Sequence, residues 1–258
     1  MKIWCQSASA LGTDPMLKPY EEALQKHIQE TARRGTTVHL HGVKVWSSAV
    51  NWLRYAEYLN SSEIIDNAIE AEKKGYDAFV VLCMDDPAFY ELRQTVNIPV
   101  VSSGEAAFHI ACLLAPKFAI LSYNVAPLRH QMDNAKHYGL GERLVPGGAF
   151  GITLSEVVQS FKKPEPILKG VREVSKRASE QGAAILVPSC GMLNMILVEN
   201  KIRDVEGVPI LDTVGTVLKM AELLVDLKAL GTNRSNIGSY TRVAADELVA
   251  LRKAYGVK

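Results

Sequence analysis

Ala78-Phe79-Val80-Val81-Leu82-Cys83-Met84-Asp85-Asp86-Pro87 is the stretch on which the reading of the fold turns. Five apolar, mostly β-prone residues run without a polar break and end at a cysteine. Such a run suits a strand buried on both faces. A second run, Ala184-Ile185-Leu186-Val187-Pro188-Ser189-Cys190, also ends at a cysteine. Each is followed by a helical stretch and then a short strand opening with proline. The first is Pro99-Val100-Val101-Ser102-Ser103-Gly104; the second, about 110 residues later, is Pro209-Ile210-Leu211-Asp212-Thr213-Val214. Residues 118–122 parallel 3–7 in the same way. Any two βαβ units share some likeness, so the cysteine recurring at one place in both copies is what makes this internal repeat specific.

Working outward, short apolar strands alternate with helical segments. Strands are expected at 2–6, 36–45, 78–82, 99–101, 118–121, 183–187 and 209–211. Helices are expected at 20–33, 61–74 (stopped by Gly75), 87–95, 105–114, 165–181, 192–204 and 216–230. Alternation of this kind points to parallel sheets covered on both faces by helices.

The 258 residues are 48% hydrophobic and 22% charged, enough for one large domain or two small ones. A formal charge of +1 with no basic stripe argues against a nucleic-acid partner. The apolar run at 108–114 contains His109 and ends at Pro116-Lys117, short of the roughly 20 residues a membrane span needs. The opening residues turn polar at Gln6-Ser7, too early for a signal peptide. The expectation is a soluble, cytoplasmic chain that does not meet a membrane.

The four cysteines, Cys5, Cys83, Cys112 and Cys190, include no Cys-x-x-Cys pair, so zinc, dithiol and disulfide readings are weak. Cys5 lies inside a strand and Cys112 inside an apolar helix, and both read as core. Cys83 and Cys190 stand at carboxyl ends of strands, where open α/β sheets bind ligands. A helix amino terminus beside each would favour the thiolate. Asp86 reads as the N-cap and Pro87 as the first residue of the helix after Cys83. Gly191 would admit a ligand close to the backbone after Cys190.

Two thiols facing one cleft suit a particular chemistry. One takes a proton from a stereogenic carbon, and the other returns a proton to the opposite face. The carbanion needs an adjacent carbonyl whose developing oxyanion is held by N–H donors, and an activated carbon acid needs no cofactor. Backbone donors near Met84, Asp85, Asp86, Gly191 and Met192 are expected to serve there.

Other features carry less. His39 and His41 share a strand face, but no further ligand completes a metal site, so no metal is expected. Asp14-Pro15, Trp46, Trp52 and Tyr55 are candidates for the cleft's neighbourhood, and 46–58 for a lid or oligomer contact. Gly147-Gly148 and Gly151 lack the context of a nucleotide loop.

Val81-Leu82-Cys83-Met84-Asp85-Asp86-Pro87, Ile98-Pro99-Val100-Val101-Ser102-Ser103-Gly104-Glu105-Ala106-Ala107 and Gly207-Val208-Pro209-Ile210-Leu211-Asp212 together resemble the aspartate/glutamate/hydantoin racemase superfamily, nearest its hydantoin racemase branch. The resemblance runs from Met1 to about Leu230. It implies two flavodoxin-like parallel-sheet half-domains related by pseudo-symmetry, with the site between them. Residues 1–101 plus 213–258 would form the first half and 102–212 the second. It implies Cys83 and Cys190 as catalytic acid and base, and a site lined by Gln6, Ser7, Ser122, Tyr123 and Ser189 beside the two cysteine loops. A small-molecule substrate, foremost a 5-substituted hydantoin, and a homo-oligomer are expected.

Two loops depart from the family's pattern. Cys5-Gln6-Ser7-Ala8-Ser9 replaces an Asn-Pro-Asn-Thr/Ser loop, and Ser189-Cys190-Gly191-Met192 is one residue shorter than Gly-Cys-Ala-Gly-Met. A maleate-type cis–trans isomerase, an arylmalonate-type decarboxylase and a non-catalytic binding protein remain as alternatives on this scaffold. The decarboxylases resembling it lack the first cysteine, so Cys83 counts against that reading. Asp85 and Asp86 disfavour a doubly negative substrate.

Overall fold

The computed structural model describes residues 1–257. Strands β1 (Lys2–Ser7), β2 (Thr37–His41), β3 (Ala78–Leu82) and β4 (Val100–Ser102) form one sheet in the order β2-β1-β3-β4, with every pairing parallel. Strands β5 (Phe118–Ser122), β6 (Gly148–Ala149) and β7 (Ile185–Pro188) form a second parallel sheet in the order β6-β5-β7. A parallel bridge from Leu186 to Ile210 continues it where β4 continues the first. The proline-opened segment at 209–211 is thus mostly a connector. Val208–Pro209 (β9) pairs antiparallel with Asp204–Val205 (β8) in a small hairpin.

All five residues of β3 and of β5, and all four of β7, are buried. That explains why these strands read as unbroken apolar runs, since helices cover both faces of each sheet. On the first sheet these include α1 (Lys18–Thr31), α2 (Arg54–Lys73) and α3 (Phe89–Thr95). Around the second lie α5 (Val125–His137), α6 (Leu154–Gln159), α7 (Glu165–Glu180) and α8 (Gly191–Glu199). Two helices cross over. Helix α4 (Ser103–Leu114) leaves β4 and packs against β7 and α5, while α9 (Thr213–Ala229) leaves the second sheet and packs on β3, β4 and α1. They also pack extensively on each other and so join the two sheets. The chain ends with α10 (Ala245–Ala254), pinned to α2 by Arg252–Asp66 at 2.7 Å. No helix among the described residues is long and apolar enough to cross a membrane.

Several elements differ from the sequence-based expectation. Helix α2 begins at Arg54 rather than 61, because its first turns expose Tyr55, Tyr58 and Leu59 and show no buried face. Helix α8 stops at Glu199 rather than 204, since Lys201 takes a left-handed conformation at φ 56°. Helix α5 was not foreseen, although Asn124 caps it and Pro127, Leu128, Gln131 and Ala135 are its buried face.

A fourth difference concerns Asp86. The helix after Cys83 starts at Phe89, not Pro87, and both Asp86 (φ 51°) and Ala88 (φ 56°) are left-handed. Asp86 therefore cannot cap that helix. Its carboxylate instead accepts the backbone N–H groups of Gly104 and Glu105, each at 2.7 Å, and the Tyr138 hydroxyl at 2.7 Å. Asp86 caps α4 from across the fold, where the N-cap residue Ser102 offers no side-chain bond. Gly104 is required by this approach, since a Cβ there would meet the Met84 carbonyl and the Asp86 carboxylate. Replacing Asp86→Ala should cost about 1–2 kcal/mol in denaturant unfolding, and Asp86→Asn less, because the amide keeps one acceptor. An Asp86→Ala midpoint equal to the parent's would contradict this capping role.

Candidate active site

β3 and β7 are equivalent strands of the two sheets, and each delivers a cysteine just past its carboxyl end. Both thiols, partly buried and free, line one cavity between the halves. Cys190 is the N-cap of α8, and its sulfur accepts the Leu193 N–H at 3.3 Å. At Cys83 the backbone N–H of Asp85 plays the corresponding part. The two sites differ in one respect: no helix starts at Cys83, so the expected dipole acts on Cys190 alone.

These donors do not lower the thiol pKa values into the physiological range. Burial pushes Cys190 up to about 12 against the two backbone N–H groups. Burial, reinforced by the nearby Asp85 charge, holds Cys83 well above the ordinary thiol value. Both thiols are protonated at neutral pH.

Eight of the residues singled out from sequence meet at this cavity: Cys83, Met84, Asp85, Tyr123, Ser189, Cys190, Gly191 and Met192. Four do not. Gln6 is fully buried behind the strand end, its amide oxygen accepting from Trp4 and Asn67 and its nitrogen donating to the Ser7 carbonyl. Ser7 turns its hydroxyl to the Ser9 N–H, so Ala8 and Ser9 form that wall. Ser122 is buried and donates to the Asn124 carbonyl at the start of α5. Asp86 is spent on α4, as described above.

The cavity also contains Tyr20, Glu57 and Asn60, which the sequence did not single out. Tyr20 on α1 and Tyr123 after β5 line it, and burial, followed by the charges of the thiols, raises both phenols far above their usual range. They stay protonated, and neither hydroxyl bonds to another described residue. Glu57 and Asn60, from the early turns of α2, close another side. Trp46 lies in the lining, whereas Trp52 and Tyr55 are exposed outside it. Tyr20 shows in sequence only as one buried position of an amphipathic helix, which marks it as core and not as site.

Asp85 is anchored by two side chains of α5. Gln131 donates to its carboxylate at 2.8 Å and to the Ser189 carbonyl at 2.7 Å, tying the two cysteine loops together, and Asn134 donates to the Asp85 carbonyl at 2.9 Å. Burial pushes its carboxyl up to about 7 despite the Gln131 bond, with the Glu57 charge adding to the rise. His130 stands 4.0 Å away, but burial and then the Arg54 charge lower its pKa to about 4, so it is neutral at physiological pH.

His41 stacks on Trp4 and His39 meets Tyr76 edge-on, which gives both rings packing roles. Among the described residues, no three His, Cys, Asp or Glu side chains converge as metal ligands would.

The family model described as Asp/Glu/Hydantoin racemase matches residues 10–221 of the chain. A hydantoin racemase of Pseudomonas sp. (strain NS671) is 30% identical over 206 residues, covering 78% of each chain. Among solved structures, an allantoin racemase from Pseudomonas fluorescens superposes with a TM-score of 0.78 at 21% identity, covering 94% of this chain and 97% of that one. An allantoin racemase from Klebsiella pneumoniae gives 0.74 at 21% identity, covering 94% of each.

Gly191 supplies a test of the cavity wall. A Cβ at this position would overlap the Tyr20 hydroxyl. Gly191→Ala should lower stability by about 1–3 kcal/mol, since Tyr20 is buried and cannot retreat without strain. Adding Tyr20→Phe, which removes the colliding oxygen, should recover part of the loss in thermal unfolding. A double variant no more stable than Gly191→Ala alone would show that the two groups do not meet.

Proposed function

The chain belongs to the Asp/Glu/hydantoin racemase family, and from that premise we propose that it racemises a carbonyl-activated carbon acid of the 5-substituted hydantoin class, using Cys83 and Cys190 as acid and base. The observation that carries the reading is the arrival of one thiol from each half at a single cavity, after equivalent strands. The named relatives favour the hydantoin class: hydantoin racemases in sequence and allantoin racemases in fold.

The chemistry follows from the groups present. One sulfur, as thiolate, removes the proton at C5 of the ring while the other, as thiol, protonates the opposite face. For the other enantiomer the roles exchange. Charge moves from carbon to the adjacent carbonyl oxygen, which needs donors that are already in place. The hydroxyls of Tyr20 and Tyr123, held protonated and without protein partners, are the groups suited to this. The low-dielectric cavity raises the thiol pKa values, and by the same effect makes each sulfur, once ionised, a stronger base than a thiolate in water. A thiol also ionises more readily than a serine hydroxyl, so the rate follows the small thiolate fraction. A single-thiol isomerase would leave Cys83 without a part, and a binding protein would leave both without one.

Chiral chromatography of single enantiomers of a hydantoin panel, allantoin included, should show conversion to racemate with no other product. Stereochemically unchanged hydantoins would contradict the proposal. Because burial raises both thiols, kcat/KM should climb with pH, approaching tenfold per unit above neutrality, as the thiolate fraction grows. Asp85→Asn removes a charge that raises both sulfurs, so it should move that limb to lower pH. A flat profile, or one unmoved by the substitution, would count against thiolate chemistry.

A further inference from the structure

The cavity is charged on one side only. Its lining holds two carboxylates, Asp85 and Glu57, and, among the described residues, no lysine, arginine or histidine lines it. Glu57 is partly offset from behind by Arg54, 3.0 Å away and largely exposed. Asp85 pairs with no lysine or arginine: His130, 4.0 Å from its Oδ1, is neutral, and the Arg54 charge acts on it less than that of Glu57. Its side chain is only 9% exposed, its Oδ1 is held by Gln131, and its Oδ2 has no hydrogen-bond partner among the described residues. The neighbouring Ser189, tied to Asp85 through the same Gln131 amide, is a lining residue whose own hydroxyl is fully buried. A carboxylate oxygen without a protein partner at the cavity wall is open to a ligand that brings a donor to it.

We propose that this wall, led by Asp85 and backed by Glu57, selects the substituent at C5: a group carrying N–H donors, such as an amide, ureide or ammonium, is taken, and a carboxylate is rejected. The inference rests on the racemase reading and adds to it the chemical class of the side group. A donor-bearing substituent gives Asp85 the hydrogen bond it lacks, whereas a carboxylate would set a second negative charge against it in a medium that screens poorly. The same wall separates this chain from racemases of acidic amino acids, whose substrates would require a cation here.

The hydantoins of glutamine and glutamate are a matched pair, of equal shape and differing in amide against carboxylate. Their kcat/KM for C5 hydrogen exchange, measured in deuterium oxide at mildly alkaline pH where Asp85 is ionised, should favour the amide by roughly tenfold or more. In Asp85→Asn the ratio should fall towards one, and in Glu57→Gln it should fall less. The ratio is read within each variant, so a general loss of rate does not obscure it. Equal rates in the parent chain, preference for the carboxylate, or a ratio unchanged in Asp85→Asn would overturn the proposal. The hydantoin of leucine reports on turnover independently of the wall. If no hydantoin exchanges, thermal shifts of the parent chain with the matched pair decide. Stabilisation by the amide alone keeps the wall and removes the racemase reading, and stabilisation by neither overturns both.

Discussion

Two cysteine sulfurs taken out of water on the walls of one cavity are the constraint around which this fold is organised. A thiol packs in a core with little penalty, but a thiolate there is expensive, so a protein that ionises it in place must hold its donors rigidly. The Leu193 N–H at Cys190 and the Asp85 N–H at Cys83 do so from backbone positions. Those positions depend on Gln131, which bonds to both cysteine loops, and on Asp86, which ties the Cys83 loop to the start of α4. The packing of α4 and α9 on each other then joins the two sheets. Left-handed backbone at Asp86 and Ala88 shows that the Cys83 loop is held in a strained shape by these contacts, as is common beside reacting groups.

Much of this was legible in the sequence because parallel strands leave an unmistakable trace. β3, β5 and β7 are buried on both faces, and their apolar runs carry the repeat and locate both cysteines. What stayed hidden was what comes from across the fold. Asp86-Pro87 looks locally like the start of a helix, yet its carboxylate serves the backbone of Gly104 and Glu105, a partnership that sequence spacing cannot show. Tyr20 and Glu57 reach the cavity from helices whose periodicity reports only which face is buried. Ser7 and Ser122 occupy equivalent strand ends and are buried there, while the next residues along, Ala8 and Tyr123, face the cavity. The pleat allows neighbours to point opposite ways, so a motif locates a loop better than it chooses among its side chains.

The electrostatics correct a simpler expectation. A helix amino terminus was expected to draw each thiol towards the thiolate, but only Cys190 has one, and burial outweighs it. On the proposed two-thiol reading, the site suits brief, substrate-coupled ionisation and not a standing thiolate. Asp85 adds to that by holding negative charge near both sulfurs, which makes each a poorer acid at rest and a better base when ionised.

The two-thiol account is tested most directly by stereospecific hydrogen exchange in deuterium oxide with Cys83→Ser and Cys190→Ser. Each enantiomer of a hydantoin presents its C5 proton to a different sulfur. Each variant should therefore fail to racemise yet still exchange the proton of one enantiomer, and the two variants should choose opposite enantiomers. If both exchange the same enantiomer, or if one cysteine can be replaced without loss of racemisation, proton transfer between two thiols is not how this site works.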